Sequence, residues 1–125
     1  MIDYKDYSYW AVYNNVKYLL IDFRNVTDDD LGIRILNNAY DKCSTSPDKS
    51  VIILGLVKGA RLTPSALRKL IKTGVDVQPK IKKSAVVGAV GIIPLLFRVY
   101  ISYTGSKVKF FTSEEAALNY LLSRT

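Results

Sequence analysis

The chain has 125 residues, 49% of them apolar and 23% charged, which excludes a disordered polymer and a disulfide-stapled miniature. It contains no histidine and one cysteine, so the usual zinc sites, His-dependent triads and an intrachain disulfide are excluded as well. Lys and Arg number 18 against 11 Asp and Glu, a formal charge of +7, and one basic domain spanning 1–125 is expected.

The elements follow in chain order. Tyr7–Tyr13 is aromatic and β-branched, and Asn14-Asn15 after it suits a two-residue hairpin turn into Tyr18–Phe23. That second run and Val51–Val57 are nearly continuous in apolar residues, as strands covered on both faces are. Between them Asp28-Asp29-Asp30 opens a helix, where acids cap free amides and favour the positive dipole end; Leu31, Ile35, Leu36, Ala39, Tyr40 and Cys43 continue it. Thr63-Pro64 starts a second helix, with Leu67, Leu70 and Ile71 as its stripe and Gly74 as its expected end. Ser84–Val90 reads as a further strand, and Gly91–Gly105 as a helix apolar nearly all round except Arg98. Lys107–Phe111 reads as a strand at or near a sheet edge. Thr112 and Glu115 form a capping box for a last helix. The alternation implies an α/β fold, a mixed, partly parallel sheet of four or five strands with about four flanking helices.

Charge is segregated. Residues 1–50 hold six bases and eight acids, whereas 51–125 hold twelve bases and three acids. Lys58, Arg61, Arg68, Lys69, Lys72, Lys80, Lys82 and Lys83 form a basic segment that suits an acidic partner, a phosphorylated ligand or an anionic membrane, unless it is simply a solvated face. Nucleic acid is disfavoured, because no binding motif accompanies the charge. Ser84, Gly88 and Gly91 lie in a Gly-x-x-Gly join of strand and helix that would expose amides to an anion; close packing of small residues is the preferred account. The three aspartates suit helix capping better than Mg²⁺ or Ca²⁺, whose ligands converge from spaced positions, so no metal is expected. Asp22, Lys83 and Arg61 are the available bases and anion clamps, but no nucleophile stands paired with a base, so neither catalysis nor a cofactor is expected.

The run Lys82-Lys83-Ser84-Ala85-Val86-Val87-Gly88, with Gly91 following, and then Lys109-Phe110-Phe111-Thr112-Ser113-Glu114-Glu115-Ala116, resembles the bacterial SpoIIAA-like family. The segment from Val51 to Gly59-Ala60-Arg61-Leu62-Thr63-Pro64 is similar to that family's central strand and following turn, and the resemblance covers Lys17 to Leu122. It implies a STAS-like fold, also compared with the CRAL-TRIO lipid-exchange domain, and no known catalytic activity. STAS antagonists of anti-sigma factors are switched by phosphorylation of a serine in an Asp-Ser motif that opens a helix. The matching place, Thr27 to Gly32, holds acids and no serine, so the resemblance does not carry that switch over.

Two functional expectations follow. The first is a non-catalytic regulatory module meeting a protein partner through Asp28, Asp29 and Asp30, or through Arg61, Thr63, Lys82 and Lys83. The alternative is a carrier whose helix Ile92–Tyr103 and tyrosines line a pocket for a lipid-like or nucleotide ligand. Association with an anionic membrane through Lys69, Lys72, Lys80, Lys82 and Lys83 is a third. The tyrosines at 4, 7, 9, 13 and 18 are either core or a homodimer contact. A lone cysteine, an opening Met1–Asp6 without secretory order and an uncharged stretch (Ser84–Phe97) too short to span a bilayer give a cytoplasmic expectation with no transmembrane segment.

Overall fold

A computed structural model describes residues 7–123. Tyr4 and the opening Met1–Asp6 lie outside the described residues. Strands β1 (Ser8–Tyr13) and β2 (Val16–Asp22) flank Asn14 and Asn15, whose φ angles of 50° and 65° are the left-handed pair that a two-residue hairpin needs. β1 pairs antiparallel with β2. β3 (Val51–Leu56), β4 (Ile81–Val87) and β5 (Lys109–Phe111) then add in parallel, so the sheet runs β1-β2-β3-β4-β5 in chain order.

Every parallel step moves in one direction, and right-handed crossovers therefore carry α1 (Asp29–Ser44), α2 (Pro64–Val77) and α3 (Ile93–Thr104) over the same face. α4 (Glu114–Leu121) returns over the opposite face. Side-chain alternation divides the apolar runs between the two faces of the sheet, with a third cluster of Val57, Val86 and Ile93 under α3. Tyr18, Leu20, Leu54 and Ala85 pack on Ala117 and Leu121 of α4, while Leu19, Ile21 and Val51 pack on Ile35, Ala39 and Cys43 of α1 and Val77 of α2.

Several local expectations change. α2 runs through Gly74 to Val77, because Gly74 serves packing: a Cβ there would stand 2.5 Å from the Tyr100 hydroxyl. β4 begins at Ile81 and ends at Val87, three residues before the expected span in each direction. Gly88 takes φ +89°, and a Cβ on it would press on the Lys58 backbone, so the strand stops there. α3 begins at Ile93, with Pro94 in its first turn, and Gly105 at φ +73° ends it. The cap of α4 is Ser113, whose Oγ accepts from the Ala116 N–H at 3.2 Å; Thr112 and Glu115 do not form the expected box. The early tyrosines part company: Tyr18 is buried, whereas Tyr9 and Tyr13 are exposed on the edge strand β1.

Candidate functional site

Between the sheet and α1, α2 and α3 lies an apolar cavity of about 160 Å³. Its floor is Ile21, Ile53, Gly55 and Val86; its walls are Leu36, Ala39, Tyr40 and Cys43 on one side and Ala66, Leu70, Gly74 and Val77 on another; Ile93, Phe97 and Tyr100 of α3 roof it. Small residues create the space. Gly55 removes a side chain from the middle of an otherwise bulky strand, and Gly32 does the same on α1. A Cβ built at either position finds only ordinary contacts, 3.6 Å to Val86 Cγ2 for Gly55 and 3.9 Å to Val26 Cγ1 for Gly32. α3 contributes to the void differently. It packs along α2, and its Ile93 and Phe97 close over Val57 and Val86 to bound the space on that side.

Folded interiors carry few voids larger than a water molecule. At about 24 cal/mol per Å³, a sealed empty void of about 160 Å³ would forfeit about 4 kcal/mol; this space opens at one end, so that figure is its upper bound, set against the roughly 5–15 kcal/mol that holds a domain together. The cavity reaches the loops at the carboxyl ends of β2 and β3, where Phe23, Val26, Asp28, Asp29, Ala60, Arg61 and Leu62 line it. That end of a parallel sheet is where α/β ligands ordinarily bind.

The mouth is built from helix caps. Asp28 Oδ2 accepts from the Leu31 N–H at 3.3 Å and caps α1. Thr63 Oγ1 accepts from the Ala66 N–H at 3.2 Å, capping α2, and donates to Asp29 Oδ2 at 2.7 Å. One hydroxyl thus ties the two amino-terminal helix ends together, with a carboxylate placed where both dipoles favour it. Asp30 is exposed beside them. Arg61 is exposed at the rim, its backbone N–H donating to Val26 O at 3.0 Å. Among the described residues no group of three or more Cys, Asp or Glu converges as a metal site.

The remaining nominated residues separate. A bulge between Val51 and Ile52 pairs Ile81 with Val51 but Lys83 with Ile52, which turns Lys83 onto the α4 face. There its Nζ donates to Tyr120 O (3.1 Å), Ser123 O (2.7 Å) and Ser123 Oγ (2.8 Å) and sits over the Tyr120 ring, closing the negative end of α4. Lys82 is exposed at the bulge, and Lys80 pairs with Asp48 at 3.0 Å. The basic segment therefore divides between both faces and both ends of the sheet. Ser84 lines the cavity from mid-strand, Gly88 donates its N–H to Phe111 O at 3.3 Å, and Gly91 is exposed beyond the strand; the structure gathers no anion cradle from them.

Asp22, a candidate base at a strand end, is held by Arg24. Burial acts to raise its pKa, but hydrogen bonds from the Arg24 N–H (2.9 Å), Nε (3.0 Å) and Nη2 (2.8 Å), with the guanidinium charge, outweigh burial and keep it below the ordinary aspartate range. Burial pushes the Cys43 thiol up to about 11, so the one cysteine behaves as an apolar wall. Of the helix named in the carrier expectation, Ile93, Phe97 and Tyr100 line the cavity, and of the tyrosines Tyr40 and Tyr100 do. Sequence reasoning passed over Gly55, although a lone glycine inside an apolar strand is a signal of close approach or of space.

No protein-family model matches the sequence, and no curated protein does. Among solved structures, an uncharacterized protein of the DUF3478 family from Shewanella loihica PV-4, described as having a SpoIIAA-like fold, superposes with a TM-score of 0.74 at 16% identity over 91% of each chain. Likeness at that identity is a statement about architecture, and it agrees with the resemblance in Lys82–Gly91 and Lys109–Ala116. The chain has the SpoIIAA-like, STAS-like α/β fold.

Proposed function

We propose that this domain is a non-catalytic, cytoplasmic STAS-like module that binds a small apolar ligand between its sheet and α1–α3. The supporting observation is the cavity of about 160 Å³ floored by Gly55 and lined almost wholly by carbon. Its size is close to that of an engineered apolar cavity of about 150 Å³ that takes up benzene. An aryl group or a short branched or medium acyl chain fits such a space, and Arg61 and the capped helix ends stand where a polar end group would emerge. A ligand that fills the void recovers contacts the empty protein lacks. A regulatory protein contact is the weaker reading, because Asp28, Asp29, Thr63 and Lys83, nominated for it, are occupied in holding helix ends.

Native mass spectrometry of protein purified without detergent tests the proposal. Wild type carrying a discrete extra mass, or acquiring one from a mixture of medium-chain fatty acids and aromatic acids, supports it when Gly55→Leu carries none. Bare protein in every case refutes it.

A further inference from the structure

The outward side of α3 is a second apolar feature, independent of the cavity. Ile92 just before the helix, then Leu95, Val99 and Tyr103 along it, are 63%, 56%, 38% and 68% exposed. At 100° per residue they fall on one stripe. Val90 in the preceding loop (67%) and Phe110 on the edge strand (42%) extend the exposed apolar surface at either side, Phe110 being tied to α3 by edge-to-face contact with Phe97 at 5.5 Å. The roof of the cavity uses the other side of the same helix, so α3 is apolar inside and out.

The charged residues of α3 and of the segments that flank it in sequence have one sign. Between Asp76 and Glu114 the sequence contains no acidic residue. Exposed Arg98 lies one turn from Leu95, exposed Lys107 follows the carboxyl end of the helix, and exposed Lys58 stands against Gly88 in the loop that leads to Val90. A second copy of the chain on this face would bring like charges together, which disfavours self-association. An anionic lipid surface satisfies both properties. Aliphatic side chains and a tyrosine enter the acyl–headgroup boundary while Lys and Arg at the rim meet phosphates.

We infer that the exposed side of α3, with Lys58, Arg98 and Lys107, docks the protein on anionic membranes as a peripheral contact. No helix among the described residues is long and apolar enough to cross a bilayer, so the contact is with one leaflet. Flotation with phosphatidylcholine vesicles, with and without phosphatidylglycerol, tests this. Wild type floats with the mixed vesicles and not with phosphatidylcholine alone. Lys58→Gln/Arg98→Gln/Lys107→Gln lowers the partition by roughly a hundredfold, at the usual contribution of each surface cation. Leu95→Ser/Val99→Ser lowers it by at least about tenfold; these exposed replacements leave thermal unfolding unchanged, which separates lost docking from lost fold. Equal binding to both vesicle types, binding that survives both variants, or a dimer in solution that Leu95→Ser/Val99→Ser dissociates would overturn the inference. None of these outcomes depends on whether the cavity holds a ligand.

Discussion

Gly55 offers the sharpest perturbation, because the space above it carries the functional proposal. A Cβ at this position meets Val86 Cγ2 at 3.6 Å and Ala85 O at 3.8 Å, both ordinary van der Waals distances, and the residue lies in β3 without a positive φ. Gly55→Ala therefore adds a buried methyl worth about 0.8 kcal/mol and removes a glycine penalty of about 0.5–1 kcal/mol. The variant should be more stable by about 1.3–1.8 kcal/mol, raising Tm by roughly 4–8 °C for a domain of this size. Thermal unfolding followed by circular dichroism, on protein freed of ligand by unfolding and refolding, measures it. A loss of stability of about 1 kcal/mol or more would mean that the floor of the cavity is already filled, and the reasoning would fail with it.

Gly74→Ala should act in the opposite sense. Its Cβ would crowd Tyr100 at 2.5–2.9 Å, and overpacking of about 1–3 kcal/mol exceeds the helix-propensity gain of about 1 kcal/mol, as urea unfolding will show. Lys83→Met should cost about 1–3 kcal/mol by freeing the α4 carboxyl end, while Lys82→Ala stays within about 0.5 kcal/mol; denaturant midpoints separate the two. Asp22 has a lowered folded pKa, so its contribution is present above the ordinary aspartate pKa of about 4 and is lost as pH falls through the folded value. Asp22→Asn should remove that part of the acid dependence, read as a flatter stability profile below pH of about 4. The thiol of Cys43 should resist iodoacetamide at pH 8 in the native state and react on unfolding, since burial holds it protonated.

The element order was legible because its signals are local. Asn14-Asn15, Asp28 and Thr63-Pro64 each act on backbone within three residues of themselves, and the structure uses all three as hairpin turn and helix caps. Long-range packing accounts for the misses. Gly74 looks like a terminator until Tyr100, distant in sequence, is seen to need its missing side chain. Lys82 and Lys83 look like one solvated pair, yet a bulge sends Lys83 to the far face to meet Ser123. The site was half visible. α3 was recognisable as apolar all round, but which side roofs a cavity and which meets the outside depends on how α3 lies against α2. Gly55 and Gly32 were local signs of the void, and their meaning required knowing that α1, α2 and α3 all cover the same face.

A chemical-shift titration of the ¹⁵N-labelled protein, freed of ligand, with benzene and with n-alkyl carboxylic acids of increasing length addresses the cavity directly. Saturable shifts should concentrate at the amides of Gly32, Gly55 and Gly74, with affinity rising with chain length until the space is full, and Gly55→Leu should abolish them. Absence of saturable shifts at these three amides for every compound, or identical shifts in Gly55→Leu, would contradict a ligand site beneath α3.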